Sequence, residues 1–273
     1  MTISLPTQAN IPPTDIGSYT ILISGQKKIG KTSFAAEFPN CFIMQFEPGN
    51  SKALPVKQTD IPKWSVALEV IDALEKNPTY CSTVVIDDVP SMYLLAQEYC
   101  CAKLQITYPG DLAQGKGWSI QNTEFTKAIT RIQNLPCGKI YTAHSQVMQA
   151  DTRTGRTVST LETAMGRGCD RVMDAKVQIG GVITFNKAKE RILVIQGDDY
   201  IVKAGQGIPN RFLDESGNQI KEIPLGKNAK EGYNNFVKAF NNQLRIITEV
   251  RTKVPDSPQL AAVNSPRKFS VKK

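Results

Sequence analysis

Eight residues with the sequence GQKKIGKT, at positions 25–32, restrict the possible folds of this chain more than any other segment. The pattern Gly-x-x-x-x-Gly-Lys-Thr forms a loop whose backbone N–H groups surround phosphate oxygens, provided that a strand precedes it and a helix follows it. Both conditions are met, because the apolar run 19–24 (YTILIS) comes before the loop and a helix-forming segment, 31–38, comes after it. The sequence therefore predicts an α/β fold with a phosphate-binding loop.

The residue types in this loop indicate a bound Mg–nucleotide. The Lys31 ammonium would neutralise charge between the β- and γ-phosphates, and the Thr32 hydroxyl would bind Mg²⁺. We expect the nucleotide to be ATP; GTP stays open, although the chain lacks an Asn-Lys-x-Asp guanine-reading motif. The predicted nucleotide-binding residues of this segment are Gly25, Gln26, Lys27, Lys28, Ile29, Gly30, Lys31, Thr32 and Ser33.

An acidic pair ends another strand-like run, 82–88 (STVVIDD). A carboxylate at the carboxyl end of a strand beside the phosphate loop can hold Mg²⁺ and its water shell, and Asp87 is predicted to do so. Asp88 could replace it or orient the attacking water. The alternative is a pair of acids at the N-terminus of the helix that Pro90 begins, and for Asp88 both interpretations stay open.

Two other polar residues follow strand-like runs. Glu47 comes after 41–46 (CFIMQF), and His144 comes after 139–143 (KIYTA). At the carboxyl edge of a parallel sheet both would face one crevice. There Glu47 could position or deprotonate the water that attacks the γ-phosphate, and His144 could contact that phosphate and report its loss. The alternatives are a solvent-exposed turn residue and a structural histidine.

Strand-like runs alternate with helical periods along the middle of the chain, and further strands follow. This order predicts one α/β domain over residues 17–245, with a mostly parallel sheet flanked by helices and with antiparallel strands appended at one edge. Strands are predicted at 19–24, 41–46, 82–88, 139–143, 172–185, 191–195 and 199–203. Helices are predicted at 31–38, 64–76, 90–106, 118–134 and 228–250, and polar loops at 108–117 and 145–168, the second with a short helix.

Both ends of the chain differ from this domain. Residues 1–16 contain prolines and no signal-peptide pattern, and they are predicted to form a flexible leader. Residues 246–273 are predicted to form a disordered basic tail, because 251–273 hold six Lys and Arg residues against one Asp. The formal net charge of +8 for the whole chain is compatible with binding to nucleic acid or another polyanion.

The composition argues against a membrane protein and against a zinc protein. The sequence contains no run of about 18 apolar residues, so no membrane span is predicted. The six cysteines include no C-x-x-C pair, and the chain has one histidine, so a zinc site is not expected. We expect the cysteines to be buried free thiols, as in a cytoplasmic protein.

Several segments, in their order along the chain, resemble the RecA-like ATPases of phages, of the single-strand annealing type. They are GQKKIGKT, FIMQFEPG, STVVIDD, GKGW (115–118), IYTAHSQ and YIVKAGQGIP (200–209), and the similarity covers residues 19–213. The resemblance implies a compact RecA-like core with Glu47 as the catalytic glutamate and His144 as the γ-phosphate sensor. It also implies that Lys203 reaches ATP across a subunit boundary, so that hydrolysis depends on a homo-oligomer or filament.

The same resemblance implies two segments that face DNA. The loop 145–168 lies where these proteins have a mobile DNA-binding loop, and 108–118 lies near the other. Basic and aromatic residues there suit contacts with phosphates and bases. The predicted DNA-binding residues are Lys116, Trp118, Arg153, Arg156 and Arg167. For Trp118, the alternative is packing on the core at the start of a helix.

These implications predict an ATP-dependent protein of phage recombination or repair that binds single-stranded DNA in the cytoplasm of the bacterial host. The basic tail could add affinity for DNA or bind a single-strand-binding protein. The main alternative is a nucleotide-gated loader or assembly ATPase that acts on protein partners without binding DNA. A small-molecule kinase is a third reading, against which the lack of an arginine-rich lid after the core counts.

Overall fold

The computed structural model describes residues 7–47, 51–151, 157–197 and 204–245. Its helices are α1 (Lys31–Ala35), α2 (Trp64–Lys76), α3 (Val89–Leu104), α4 (Lys116–Gln133), α5 (Arg167–Asp174) and α6 (Ala229–Phe240). Its strands are β1 (Thr20–Gly25), β2 (Cys41–Gln45), β3 (Lys57–Asp60), β4 (Thr83–Asp87), β5 (Gly138–Asp151), β6 (Thr157–Thr163), β7 (Ile179–Phe185), β8 (Arg191–Val194), β9 (Gly205–Gln206) and β10 (Glu222–Pro224). The predicted strand 199–203 and the predicted tail 246–273 lie outside the described residues.

One sheet organises the described part of the chain, in the order β10-β8-β7-β1-β5-β4-β2-β3, with β6 beside β5 and β9 beside β7. The strands from β7 to β3 run parallel, whereas β8, β9 and β10 are antiparallel additions at the β7 edge. Every residue of β1, β2 and β4 is buried, as expected for strands covered by helices on both faces. The arrangement confirms the predicted fold class.

Two apolar clusters cover the faces of the sheet. One contains Ile21 of β1 with Phe34 of α1 and Phe236 of α6. The other contains Leu22 of β1 and residues of α2, α3 and α4, among them Phe125. Because successive side chains of a strand point to opposite faces, β1 contributes to both clusters. The packing therefore fixes β1 in the middle of the sheet, and with it the start of the loop that follows.

The segment 145–168 is not the polar loop that was predicted. Strand β5 continues beyond residue 143 to Asp151 and pairs antiparallel with β6, so that Val147 lies opposite Leu161. Helix α5 then begins at Arg167. The prediction was wrong because it weighed polarity alone: β6 (TVSTLET) is rich in β-branched residues, which favour a strand. A hairpin also pairs its own backbone groups without needing a large buried face.

Other boundaries differ by less. Helix α5 occupies the first residues of 172–185, which were predicted to be a strand. The edge strand β3 (KQTD) was missed because it carries polar side chains where the sheet meets solvent. Helices α1 and α6 end at Ala35 and Phe240, before their predicted ends. Among the described residues, no helix has both the length and the apolar character to cross a membrane.

Candidate nucleotide-binding site

The phosphate loop leaves the carboxyl end of β1, between β5 and β7. Gly25 pairs with His144 on one side and with Ile183 on the other, and a Cβ at Gly25 would lie 2.8 Å from the Ile183 carbonyl oxygen. Gly30 ends the loop with φ +106°, a conformation that a residue with a side chain rarely adopts. The two glycines of the motif are therefore needed for close approach and for backbone conformation, respectively.

Lys31 is the most buried cation of the loop, with 6% of its surface exposed. Its ammonium donates to the carbonyl oxygens of Gly25 and Gln26, both at 3.0 Å, and lies 3.1 Å from His144 Nδ1. Burial lowers the pKa of Lys31, while the charges of Asp87, Asp88 and Glu47 oppose that shift. The side chain thus lies inside the loop, where a phosphate would neutralise it.

Thr32 and Asp87, the two residues predicted to hold Mg²⁺, are in direct contact. The Thr32 hydroxyl donates to Asp87 Oδ2 at 2.8 Å, and the other carboxylate oxygen accepts from the Thr142 hydroxyl of β5. Asp87 is the last residue of β4 and lies opposite Gln45 in β2. Mg²⁺ prefers hard oxygen ligands, and it usually takes one or two from protein while keeping water and phosphate. A hydroxyl and a carboxylate beside a phosphate loop fit that requirement.

Glu47, His144 and Asp88 form a cluster next to Lys31, and one ligand atom from each lies within 4.8 Å of the others. His144 Nε2 is 2.9 Å from Glu47 Oε2 and 3.6 Å from Asp88 Oδ2. Lys27 also contacts Glu47, at 3.2 Å. The hydrogen bond from His144 is the main cause that holds the pKa of Glu47 below its usual value. Glu47 is therefore a carboxylate at neutral pH and can accept a proton.

Asp88 lies both at the N-terminus of a helix and beside the nucleotide site, the two positions that the sequence left open. Its carboxylate accepts a hydrogen bond from the Ser91 backbone at 2.9 Å and so caps helix α3. It is also almost completely buried and faces His144. Burial raises the pKa of Asp88, and the contacts with Ser91 oppose the shift. Helix capping therefore explains the hydrogen bonding of Asp88, while its position places it at the back of the cluster.

These side chains surround one pocket of about 190 Å³. Its lining combines the phosphate loop with residues in or just after three further strands: Lys28, Gly30, Lys31, Thr32, Ser33, Glu47, Asp87 and His144. The structure thus brings together all four predicted catalytic residues. Lys203, predicted to reach ATP from a neighbouring subunit, lies outside the described residues.

The residues predicted to bind DNA lie on a different part of the surface. Trp118 and Arg167 line the same cavity between α4 and α5, and Lys116 is exposed at the first position of α4. The Trp118 ring packs against the exposed Tyr108 ring with centroids 5.2 Å apart. Arg153 and Arg156 lie outside the described residues. Two of the five residues predicted to bind DNA, Trp118 and Arg167, therefore line one groove, and Lys116 is exposed at the start of one of its helices.

Two residues at or near the site were missed from the sequence. Thr142, which bonds to Asp87, stands inside the buried run IYTA, and a polar residue in such a run could have been noticed. Arg191, at the start of β8, has a guanidinium nitrogen 3.0 Å from where a Cβ on Gly30 would be. Since 161 residues separate Gly30 from Arg191 in sequence, no local pattern could have joined them.

Comparisons with known proteins identify the family of this chain. A family model described as an AAA domain matches residues 18–207, more than half of the chain. The chain therefore belongs to this family, a class of P-loop ATPases. No curated protein sequence matches it. Among solved structures it is similar to the KaiC-like protein PH0186 from Pyrococcus horikoshii OT3, with 13% identity and a TM-score of 0.42, over 76% of this chain and 85% of that chain.

Proposed function

We propose that this chain hydrolyses ATP and binds single-stranded DNA in an ATP-dependent manner, in the groove between α4 and α5. The observation that carries the proposal is the convergence of Trp118, Arg167 and Arg171 on that groove, in a chain that also has a P-loop site. A role in phage recombination or repair, as the resemblance to annealing-type proteins implies, depends on this DNA binding.

The nucleotide half of the proposal follows from the pocket around Lys31. Bound Mg²⁺ would stabilise charge on the phosphates and would be held by Thr32 and Asp87. Glu47, kept deprotonated by its hydrogen bond from His144, is placed to take a proton from an attacking water. His144 lies between Glu47 and Lys31, so that one side chain contacts both the base and the phosphate-binding lysine.

The DNA half follows from the α4–α5 groove, which we define as two adjoining cavities of about 1080 and 570 Å³ that share Trp118, Asn122 and Arg171. Aromatic rings and cations on one surface are the combination that binds single strands, by stacking of bases and neutralisation of phosphates. The cations at or beside this groove that have no ion pair with a described residue are Lys116, Lys127, Arg167, Arg171 and Lys176. Arg131, by contrast, is paired with Asp72 and Glu75.

One hydrogen bond and one longer-range electrostatic interaction connect the groove with the nucleotide site. The Ala164 backbone N–H, just before α5, donates to the His144 carbonyl oxygen at 2.7 Å. Cys169 of α5 is buried near Asp88: burial, then the charges of Asp170 and Asp88, raise its pKa. A displacement of His144 or Asp88 on nucleotide binding would therefore move the start of α5, which carries Arg167 and Arg171. This is the physical basis for ATP dependence.

Fluorescence anisotropy of a labelled oligonucleotide tests the proposal, with no nucleotide, with ADP and with a nonhydrolysable ATP analogue, over a range of salt concentrations. We expect tight binding only with the ATP analogue, with an affinity that falls steeply with salt. The double variant Trp118→Ala/Arg167→Ala should lose DNA binding and keep ATP binding. Arg245→Ala, an exposed arginine paired with Glu215, is the matched control. Absence of DNA binding in every nucleotide state would contradict the proposal.

A protein partner is the second candidate, and the β5–β6 hairpin is the observation that favours it. Val147 and Met148 on this hairpin are 58% and 43% exposed. Because they are consecutive in a strand, each lies on a different face of the hairpin, and an exposed apolar side chain on each face is compatible with contact with another protein, including a second copy of the chain. Sedimentation of the wild type and of Val147→Ser/Met148→Ser, with and without ATP, separates the candidates. A nucleotide-dependent assembly that the double variant loses, without any DNA binding, would favour the loader.

A further inference from the structure

Arg191 approaches the phosphate loop from the direction of β7 and β8, whereas Asp87 and His144 approach it from β4 and β5. It begins β8, whereas Asp87 and His144 belong to β4 and β5, and β1 with its loop lies between the two groups in the sheet. Its guanidinium nitrogen is 3.0 Å from the Cβ position of Gly30. Arg191 therefore approaches a loop that already carries the cations Lys28 and Lys31.

Among the described residues Arg191 has no ion pair, although Glu190, Glu222 and Glu231 line the same cavity. Its side chain is half-buried, and its guanidinium has no hydrogen bond or ion pair with a described residue. The neighbouring acid, Glu190, is held by hydrogen bonds to Asn186 across the β7–β8 turn. An arginine that is partly removed from water and lies beside other cations is electrostatically unfavourable unless an anion joins it. The arrangement indicates that Arg191 meets a ligand of opposite charge.

The direction of a bound nucleotide identifies the part that Arg191 can reach. Mg²⁺ bridges the β- and γ-phosphates, and the metal-binding pair, Thr32 and Asp87, lies on the β4–β5 side of the loop. A nucleotide whose metal is held by Thr32 and Asp87 would have its γ-phosphate on that side, and its α-phosphate and nucleoside would extend towards β7 and β8. A cavity of about 960 Å³, lined in part by Phe185, Arg191 and Lys227, lies there. Its size is in the range of pockets that enclose small ligands.

We propose that Arg191 binds the α/β-phosphate portion of the nucleotide and so serves as a nucleotide-positioning residue supplied by the same subunit. The inference rests on nucleotide binding at the phosphate loop, as in the proposed function. Guanidinium groups hold phosphate oxygens through short, charge-assisted hydrogen bonds in a fixed geometry. Because these oxygens are present in ATP and in ADP, Arg191 contributes to the affinity for both nucleotides and does not discriminate between them.

Calorimetric titration of the full chain with ATP and with ADP, in Mg²⁺, tests the proposal. Arg191→Gln keeps much of the side-chain volume and removes the charge. It should lower the affinity for ATP and the affinity for ADP by a similar factor, about 10-fold or more. Arg191→Lys should recover part of this loss. Arg245→Ala is the matched arginine control and should bind as the wild type does.

The possible outcomes are distinct. Equal affinity of Arg191→Gln and wild type for ADP would overturn the assignment of Arg191 and leave the P-loop site intact. A loss confined to ATP would also overturn it, because the contact would then be with the γ-phosphate. If the wild type binds neither nucleotide, both this inference and the nucleotide half of the proposed function fail. Thermal unfolding of each variant separates loss of contact from loss of fold: a variant that is folded but weakened supports the proposal.

Discussion

At the nucleotide site, the carboxyl ends of β1, β2 and β4 and residue His144 within β5 bring polar side chains to one edge of a buried sheet. In the α4–α5 groove, helices on the outside of the molecule present aromatic and basic side chains to solvent. The first region depends on backbone conformation and on hydrogen bonds among buried groups, such as those of Lys31 and Asp87. The second depends on surface side chains such as Arg167 and Arg171, which can be replaced without disturbing a core. Substitutions in the two regions should therefore have separable effects.

Lys31→Ala should produce the largest change. It removes the one buried ammonium from the phosphate loop, so the charge of the β- and γ-phosphates would have no direct partner there. We expect the affinity for ATP to fall by about 100-fold or more, in line with loss of charge-assisted hydrogen bonds in a buried site. ATP-dependent DNA binding should disappear with it. Unchanged ATP affinity in a folded Lys31→Ala protein would contradict the assignment of the loop.

Glu47→Gln should separate binding from hydrolysis at the same site. The amide keeps the shape of the side chain but accepts no proton, so single-turnover hydrolysis should slow by about 100-fold or more. ATP affinity should stay within a few-fold of the wild type, and DNA binding should persist longer because ATP is not consumed. Hydrolysis by Glu47→Gln at the wild-type rate would show that Glu47 is a surface residue paired with Lys27 and not the general base.

The pH dependence of hydrolysis sharpens the role of His144. Its hydrogen bond lowers the pKa of Glu47, so the wild type should retain activity as the pH falls through the usual carboxyl range and lose it only below that range. In His144→Ala the acid side of the profile should move upward, towards an ordinary glutamate. The same sign holds for stability: the contribution of this pair is present above the unfolded pKa of Glu47 and is lost as the pH falls through its lower folded value. If the hydrolysis rates of both proteins fall over the same acidic pH range, His144 does not lower the pKa of Glu47.

Trp118→Ala should have the smallest of these effects, and only in the groove. Loss of one stacking ring costs about 1–3 kcal/mol of affinity for single strands, and ATP affinity should not change. Tyr80→Ala provides a control, because Tyr80 is an exposed aromatic residue just before β4, at the opposite edge of the sheet. Equal DNA affinity of both variants would favour packing on Tyr108 as the whole function of Trp118.

The comparison of the two regions also explains what could be predicted from the sequence. The phosphate loop, Glu47, Asp87 and His144 each follow an apolar run, and parallel strands align their carboxyl ends, so sequence order predicted their convergence. The groove arises from tertiary packing: Gly168 lies against Tyr93 and Asn122, residues of three different helices, and no local pattern records that contact. The β5–β6 hairpin was missed because its two strands carry many polar side chains and pair with each other. Arg191 was missed because it comes close to Gly30 only through the order of the strands in the sheet.

The account depends most directly on a metal shared by Thr32, Asp87 and the nucleotide. Titration of wild type and Asp87→Asn with ATP, once in Mg²⁺ and once in EDTA, measures this sharing. The account predicts that Mg²⁺ strengthens ATP binding to the wild type by about 10-fold or more and that Asp87→Asn loses most of this gain while remaining folded. An equal effect of Mg²⁺ on both proteins would contradict the assignment of Asp87, and absence of ATP binding by the wild type would contradict the site as a whole.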